Sequence, residues 1–406
     1  MARQNGIGAA KAGLAVTAAG VLANLLAYVV PVVGARQLSA ADLSALATLL
    51  AMTAIAGVAS TGLQIAVAVH RARHGPSSVA RSAALTVLVT AGALVAALPI
   101  AVLVLRLPVF ATVLAGVSTV GVVAAGRWLG EMQGDQRFGP LAVGLAVLAG
   151  GRYGGVVVGL AAGMGLTGAL LLGAATAVLV LPVLHLLARR PGVAADGQPL
   201  TARAVLTAGG ATLAMLVVSY ADLLLARRFL PFDASGAYAV GTVLTKGALW
   251  APQVVTILAL PRLAQSDRRT LRVALALVAA CGVVLVAGAA VAGGLAFRLA
   301  GGPGYADLGR YAPVFAATGA VYGVLFVLVN AQVAAGARWP AAPLWASAAG
   351  FALVAWLALP HTVPGIAFGA LGTAVVALVI TSVLVGLRLR APVTEPSPGH
   401  ATLSVD

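Results

Sequence analysis

Twelve stretches of this chain are long and apolar enough to cross a bilayer, and that repetition constrains its fold more than any other feature. They are 14–34, 44–69, 83–105, 108–127, 139–161, 167–187, 204–224, 236–260, 273–296, 312–335, 343–359 and 364–387. A spanning helix needs about 20 apolar residues. Hydrocarbon offers no partner to backbone N–H and C=O groups, so only helices or a closed barrel can cross it. Strand-like alternation is absent, which leaves helices. Composition agrees: 61% of the 406 residues are hydrophobic and 9% are charged, whereas a soluble domain carries about 25% charged residues. The expected fold is an all-α polytopic membrane protein with twelve transmembrane helices.

The N-terminal apolar run follows Arg3 and Lys11 and has a signal peptide's polarity. It exceeds the roughly 7–15 residues of a signal h-region and no small-residue cleavage site follows, so it reads as a retained first helix. Of the 25 Lys and Arg, 17 fall in the N-terminal segment and in alternate segments thereafter, ending with Arg388 and Arg390. Six lie in the opposite segments: Arg36, Arg106, Arg227, Arg228, Arg298 and Arg310. Positive charge marks the cytoplasmic side, so both termini are expected there. Orientation therefore accounts for most of the formal +15 without a nucleic acid. Arg outnumbers Lys 23 to 2, which suggests a GC-rich bacterial genome and hence a bacterial cytoplasmic (inner) membrane.

No connecting segment is long enough for a soluble domain. The longest are an expected outer loop, 297–311, and an inner one, 188–203, which contains Pro191, Gly192, Gly197 and Pro199 and divides the spans six and six. The expected organisation is an N-terminal lobe 1–187, a cytoplasmic linker 188–203, a C-terminal lobe 204–387 and a disordered tail 388–406. A repeat supports the division. Arg36-Gln37-Leu38-Ser39-Ala40-Ala41-Asp42-Leu43-Ser44-Ala45-Leu46-Ala47 joins spans one and two. Arg228-Phe229-Leu230-Pro231-Phe232-Asp233-Ala234-Ser235-Gly236-Ala237-Tyr238-Ala239 joins spans seven and eight. Parallel repeats related by an axis along the membrane normal are a transporter arrangement, with the site at their interface.

Two cations remain, and neither fits a loop. Arg152 lies about 12 residues into span five, near the midplane at 1.5 Å per residue, and Lys246 is at similar depth in span eight. A cation there costs at least about 2.5–3.5 kcal/mol unless it meets water, a carboxylate or carbonyls. One reading pairs one of them structurally with Asp222, the acid of span seven. The other is a cationic cavity for an anionic substrate, and the shortage of acids within the spans, with none expected inside a span of the first half, favours it. Gly151, Gly155, Gly159 and Gly163 recur every four residues, a helix-packing stripe that would position Arg152 and Tyr153. Asn24, Gln64, Tyr153 and Gln253 are candidate polar cavity-lining residues. Gly241, Gly247 and Pro252 are the candidates for a bend around Lys246.

Catalytic classes fall away. The single Cys281 excludes a disulfide framework and a cysteine metal site, and His70 and His74, which flank Arg71 and Arg73, read as solvated interface residues. There is no phosphate-binding Gly-Lys loop and no nucleophile elbow. No cofactor and no metal are expected, and the chain does not read as an enzyme. A polyprenol-dependent glycosyltransferase would want a carboxylate in a substantial outer loop, and Asp42, Asp233 and Asp307 sit in short ones.

Several strings carry a resemblance. They are Gly34-Ala35-Arg36-Gln37-Leu38 with Asp42-Leu43-Ser44-Ala45-Leu46, then Gly62-Leu63-Gln64, then Gly130-Glu131-Met132-Gln133-Gly134-Asp135-Gln136-Arg137-Phe138. In the second half they are Ala221-Asp222-Leu223-Leu224-Leu225, Ala234-Ser235-Gly236-Ala237-Tyr238, Lys246 and Pro261-Arg262. In order and spacing over about 35–265 the chain resembles bacterial polysaccharide (oligosaccharide) flippases of the multidrug/oligosaccharidyl-lipid/polysaccharide exporter superfamily. The resemblance implies two six-helix, pseudo-twofold lobes forming a V around a central cavity. It also implies alternating access that carries a polyprenyl-diphosphate-linked sugar between leaflets. Arg152 and Lys246 would then meet the diphosphate, and Asp222 would serve coupling or structural pairing. Implied partners are the anionic lipid-linked sugar, membrane lipids, and a polysaccharide polymerase or glycosyltransferases. The chain departs from the pattern in having twelve spans rather than fourteen. A cation-coupled multidrug exporter of the same superfamily and a non-transporting component of cell-envelope polysaccharide synthesis are the alternatives.

Overall fold

Helices account for all twelve expected spans in a computed structural model that describes residues 2–75, 79–189, 200, 202–250, 268–334, 337 and 339–390. Span one is α1 (Ala2–Gln37). Span two is α2 (Ala40–Ala56) and α3 (Val58–His74), broken at Gly57. Spans three and four are α4 (Ala80–Leu103) and α5 (Val109–Gly134). Span five is α6 (Phe138–Ala149), a π-helical turn Gly150–Gly154, and α7 (Gly155–Ala161). Span six is α8 (Gly165–Ala188). The second half comprises α9 (Ala202–Phe229), α10 (Phe232–Trp250), α11 (Arg268–Gly301), α12 (Ala312–Ala334), α13 (Ala342–Leu357) and α14 (Val363–Arg390). Ten described segments have the length and hydropathy to span a membrane. The other two spans are the short α13 and α10, whose described part carries Asp233 and Lys246.

Packing repeats with the sequence. Span one packs on five as seven packs on eleven, and two on four as eight on ten. Three and nine pack on four and ten, four and ten on six and twelve, five and eleven on six and twelve. The repeated segments around Arg36 and Arg228 meet at the lobe interface, where α2 packs on α10. Ser44 Oγ and Ser235 Oγ share a buried 2.6 Å hydrogen bond. Gly236 lies so close to Ala40 that a Cβ there would stand 2.5 Å from its carbonyl oxygen. Near the same end Arg227, almost fully buried, donates to three main-chain carbonyls of the first lobe: Arg106 (2.8 Å), Leu105 (3.0 Å) and Ala41 (3.3 Å). The reciprocal contact comes from Arg36, which donates to the Leu299 carbonyl at 3.2 Å. At the end that carries the chain termini, α3 packs on α9, with Gly62 against the Val205 carbonyl.

Several expectations change. Span four does not stop at 127: α5 continues to Gly134, so Glu131 is a buried acid within a helix. That overturns the expectation that the first half has no acid inside a span. The extension is possible because its charges are neutralised locally. Arg127 Nε lies 2.9 Å from Glu131, and Arg71 lies 2.9 Å from Asp135 and 3.9 Å from Glu131. His70 is buried and packs on the His74 ring at 4.6 Å rather than standing in solvent. The segment 297–311 is not a loop, since α11 reaches Gly301 and Pro303–Tyr311 forms a 3₁₀ helix. The linker 188–203 lies mostly outside the described residues, and 391–406 of the tail lies wholly outside them.

Glycines set the closest helix contacts. The stripe of span five packs on α8: an added Cβ at Gly151 would stand 3.0 Å from the Thr176 carbonyl, and one at Gly159 would stand 2.6 Å from Ala169 Cα. A second stripe has the same period. Gly126, Gly130 and Gly134 of α5 would bring a Cβ to 2.6, 2.6 and 2.7 Å from the carbonyls of Ser60, Gln64 and Ala68 on α3. Small residues at every fourth position let two backbones approach where lipid gives no hydrophobic drive to associate.

Candidate functional site

Span five changes helical pitch where its cation sits. Gly150-Gly151-Arg152-Tyr153-Gly154 forms a π-helical turn, a feature that is frequent at functional sites. Widening the turn disturbs the regular carbonyl pattern, and Thr176 of α8 answers by donating its hydroxyl to the Gly151 carbonyl at 2.6 Å. Arg152 projects from this turn toward the lobe interface. Its guanidinium donates to Thr53 Oγ1 at 3.4 Å and lies 5.0 Å from the Tyr153 ring centroid. Arginine has five N–H donors, so Arg152 is left with far more donors than protein acceptors.

Lys246 comes from α10 in the opposite lobe and is 9% exposed. Its ammonium donates to the main-chain carbonyl of Ser219 and, at 3.2 Å, to the Ser219 hydroxyl. It also stands over the Tyr220 ring, 3.5 Å from the centroid. Cation–π contact and carbonyl solvation offset part of the burial cost without a counter-charge. Asp222, 2% exposed, accepts from the Tyr238 hydroxyl at 3.0 Å and from the Leu223 N–H at 2.8 Å. It is within electrostatic reach of Lys246. Among the described residues, however, no ion pair within 4.0 Å joins it to either mid-span cation.

Both cations line one cavity of about 110 Å³ between the lobes. Asn24, Tyr28 and Pro31 of α1 and Leu50 and Ala54 of α2 form one side, with Tyr153 beside Arg152. Tyr220, Leu223, Thr242 and Val243 form the other. Among the described residues no carboxylate lines it. The Tyr28 hydroxyl is buried without a hydrogen-bond partner. Pockets for drug-sized ligands run to about 300–1,000 Å³, so the cavity in this conformation is contracted and must widen before it admits a large head group.

The structure thus brings Arg152, Lys246, Asn24 and Tyr153 together and sets Asp222 behind the wall. Gln64 is not at this cavity: its side-chain amide donates to Gln133 at 2.8 Å, joining α3 to α5. Gln253 and Pro252 lie outside the described residues. Tyr28, Tyr220, Thr53 and Thr242 are site residues that the sequence reading did not single out. A signal existed for two of them, since Tyr28 is one helical turn from Asn24 and Tyr220 adjoins Asp222. No cluster of three or more His, Cys, Asp or Glu suited to a metal occurs among the described residues.

No family model and no curated protein sequence matches the chain. Solved structures do match its fold. One is described as the inward-facing conformation of a multidrug resistance MATE family transporter of the MOP superfamily. It aligns with TM-score 0.67 and 14% identity, covering 91% of this chain and 94% of that one. The lipid II flippase MurJ in an inward closed conformation aligns with TM-score 0.68 and 10% identity, covering 91% and 87%. An outward-facing MATE family transporter reaches 0.55 at 13% identity, covering 94% and 95%. At such identities the likeness is one of fold: this multi-pass membrane protein shares the all-helical architecture of those transporters over most of its length.

Proposed function

We propose that this protein is a membrane transporter that moves a polyprenyl-diphosphate-linked sugar or polysaccharide precursor across a bacterial cytoplasmic membrane by alternating access. The observation that carries the reading is the meeting of Arg152 and Lys246, one from each half, in a cavity that no carboxylate lines among the described residues. A diphosphate supplies what that cavity lacks: paired anionic oxygens for the planar guanidinium and a point charge for the ammonium. Because the cations belong to opposite lobes, one bound diphosphate would draw the lobes 1–187 and 204–387 together, coupling occupancy to rocking. The Arg227 and Arg36 contacts hold one end shut. The higher TM-scores against inward conformations support reading that end as the outer one, in keeping with the cytoplasmic termini expected from the charge bias. A polymerase or glycosyltransferases would supply or consume such a substrate.

The fold match supports a second reading equally, a multidrug exporter, since a MATE transporter aligns as well as MurJ does. Cationic drugs would need an acid in the cavity, and Asp222 is engaged by Tyr238 and the Leu223 N–H. A leaflet-accessibility assay in proteoliposomes, with lipid-linked sugars and cationic dyes as competing cargoes, separates the two. Arg152→Ala and Lys246→Ala are each expected to cut lipid-linked sugar translocation by about 10²-fold or more, the loss of charge-assisted bonds to the diphosphate, with the protein still folded. Undiminished translocation in both variants, or dye efflux that outruns sugar transport, would refute the reading.

A further inference from the structure

A second cavity, larger than the central one, lies wholly within the first lobe. It occupies about 360 Å³ between α2, α4, α5 and α8, within the size range of ligand pockets. Among the described residues its lining contains no charged side chain. The hydroxyls that reach it are satisfied at home: Thr53 donates to Leu50 O, Thr112 to Pro108 O and Thr119 to Ala115 O, at 2.8–2.9 Å. A cavity of this chemistry has nothing to hold water and stays dry. Its rim includes Val95, which is 70% exposed, and Val117 and Val178, which are also exposed, so it opens sideways on the apolar face of the bundle. At Gly116 an added Cβ would meet nothing within 4 Å, which marks unfilled space rather than tight packing.

The crevice adjoins the charged site through shared lining residues. Leu49, Thr53 and Ala115 line both it and a narrow cleft that also contains Arg152 and Tyr153, and those two line the central cavity. Thr53, which accepts from Arg152, is the threshold between the two environments. An amphiphile whose head crosses the membrane through a polar cavity must keep its tail in hydrocarbon, since drawing the tail into water forfeits the hydrophobic free energy of every methylene. It needs a lateral apolar exit beside the head-group cation.

We propose that this crevice seats the isoprenoid units nearest the diphosphate when that diphosphate engages Arg152. The substrate's tail passes Thr53 and leaves the bundle between α4 and α8. The assignment rests on the lipid-linked substrate proposed above and adds where its chain runs.

The test uses full-length protein in proteoliposomes, with a long-chain polyprenyl-diphosphate sugar and a single-prenyl analogue bearing the same head. Gly116→Phe fills the crevice, and Gly92→Phe puts the same ring on an exposed face of α4 where space is open. Gly116→Phe is expected to lower long-chain translocation about tenfold or more while leaving single-prenyl binding within about twofold, and Gly92→Phe to leave both unchanged. A photoreactive group on the first isoprene should label α4 and α5 in the unmodified protein, a measurement that does not depend on the variant folding. Normal long-chain transport by Gly116→Phe, equal loss of both cargoes, or labelling by bulk phospholipid alone overturns the proposal. If Arg152→Ala stops transport and Gly116→Phe does not, only the tail assignment fails. Failure of the unmodified protein to move or bind either cargo removes the substrate reading and this inference with it.

Discussion

Arginines at the two ends of the bundle are held differently. At the end carrying the chain termini, Arg71 and Arg127 pair with Asp135 and Glu131, and all four belong to spans two and four or the cap of span four, while Arg137 donates to the Leu187 and Ala188 carbonyls of its own lobe. At the other end, among the described residues, Arg227 and Arg36 have no carboxylate within 4.0 Å; they donate to main-chain carbonyls across the lobe interface. Breaking a buried ion pair strands a charge and is costly. Parting an arginine from carbonyls exposes groups that water can solvate again, at a modest net cost. Charges that hold one lobe together are therefore fixed, and those that hold two lobes against each other are releasable. A protein that alternates between conformations needs that division.

The comparison can be broken in three places. Arg71→Ala should be the most damaging change, removing the guanidinium that Asp135 and Glu131 share, and should cost about 3–5 kcal/mol. Thermal unfolding in detergent would read it, with loss of the α3–α5 contact as the cause. A midpoint close to that of the unmodified protein would show the pair to be incidental. Arg227→Gln should leave overall stability nearly unchanged but lose about 1–3 kcal/mol of preference for the shut end. Cysteines introduced near Ala41 or Arg106 should then become accessible to membrane-impermeant reagents on that side, and protection equal to the parent's would remove Arg227 from the clasp. Arg36→Ala should have the smallest effect, about 0–1 kcal/mol, because it makes one bond on an exposed helix end. If Arg36→Ala opened that end as far as Arg227→Gln, the asymmetry drawn here would be wrong.

The sequence was most legible where the bilayer dictates structure. Every expected span is helical in its described part because hydrocarbon leaves the backbone no alternative. The 12-residue repeat marked real pseudo-symmetry, although the buried clasp belongs to Arg227, the neighbour of the Arg228 that aligns with Arg36. Hydropathy misjudged the end of span four, since a charge closes an apolar window whether or not it is neutralised. Glu131 is followed into the helix by its own counter-ions, and only the fold brings Arg71 to it. The Gly126, Gly130 and Gly134 stripe was written as plainly as the one around Arg152, yet its partner carbonyls on α3 could not be read from spacing.

The site divides along the same line. Depth along a helix is a matter of counting residues, so the sequence alone placed two cations near mid-membrane with too few acids to answer them. Azimuth is different: a helix's rotation about its axis depends on which neighbours it packs against. The tertiary structure decided that Arg152 and Lys246 share one cavity, that Asp222 turns from it toward Tyr238, and that Gln64 binds Gln133 instead. Depth follows from 1.5 Å per residue, but orientation follows from the docking of two lobes whose contacts lie almost two hundred residues apart in the chain.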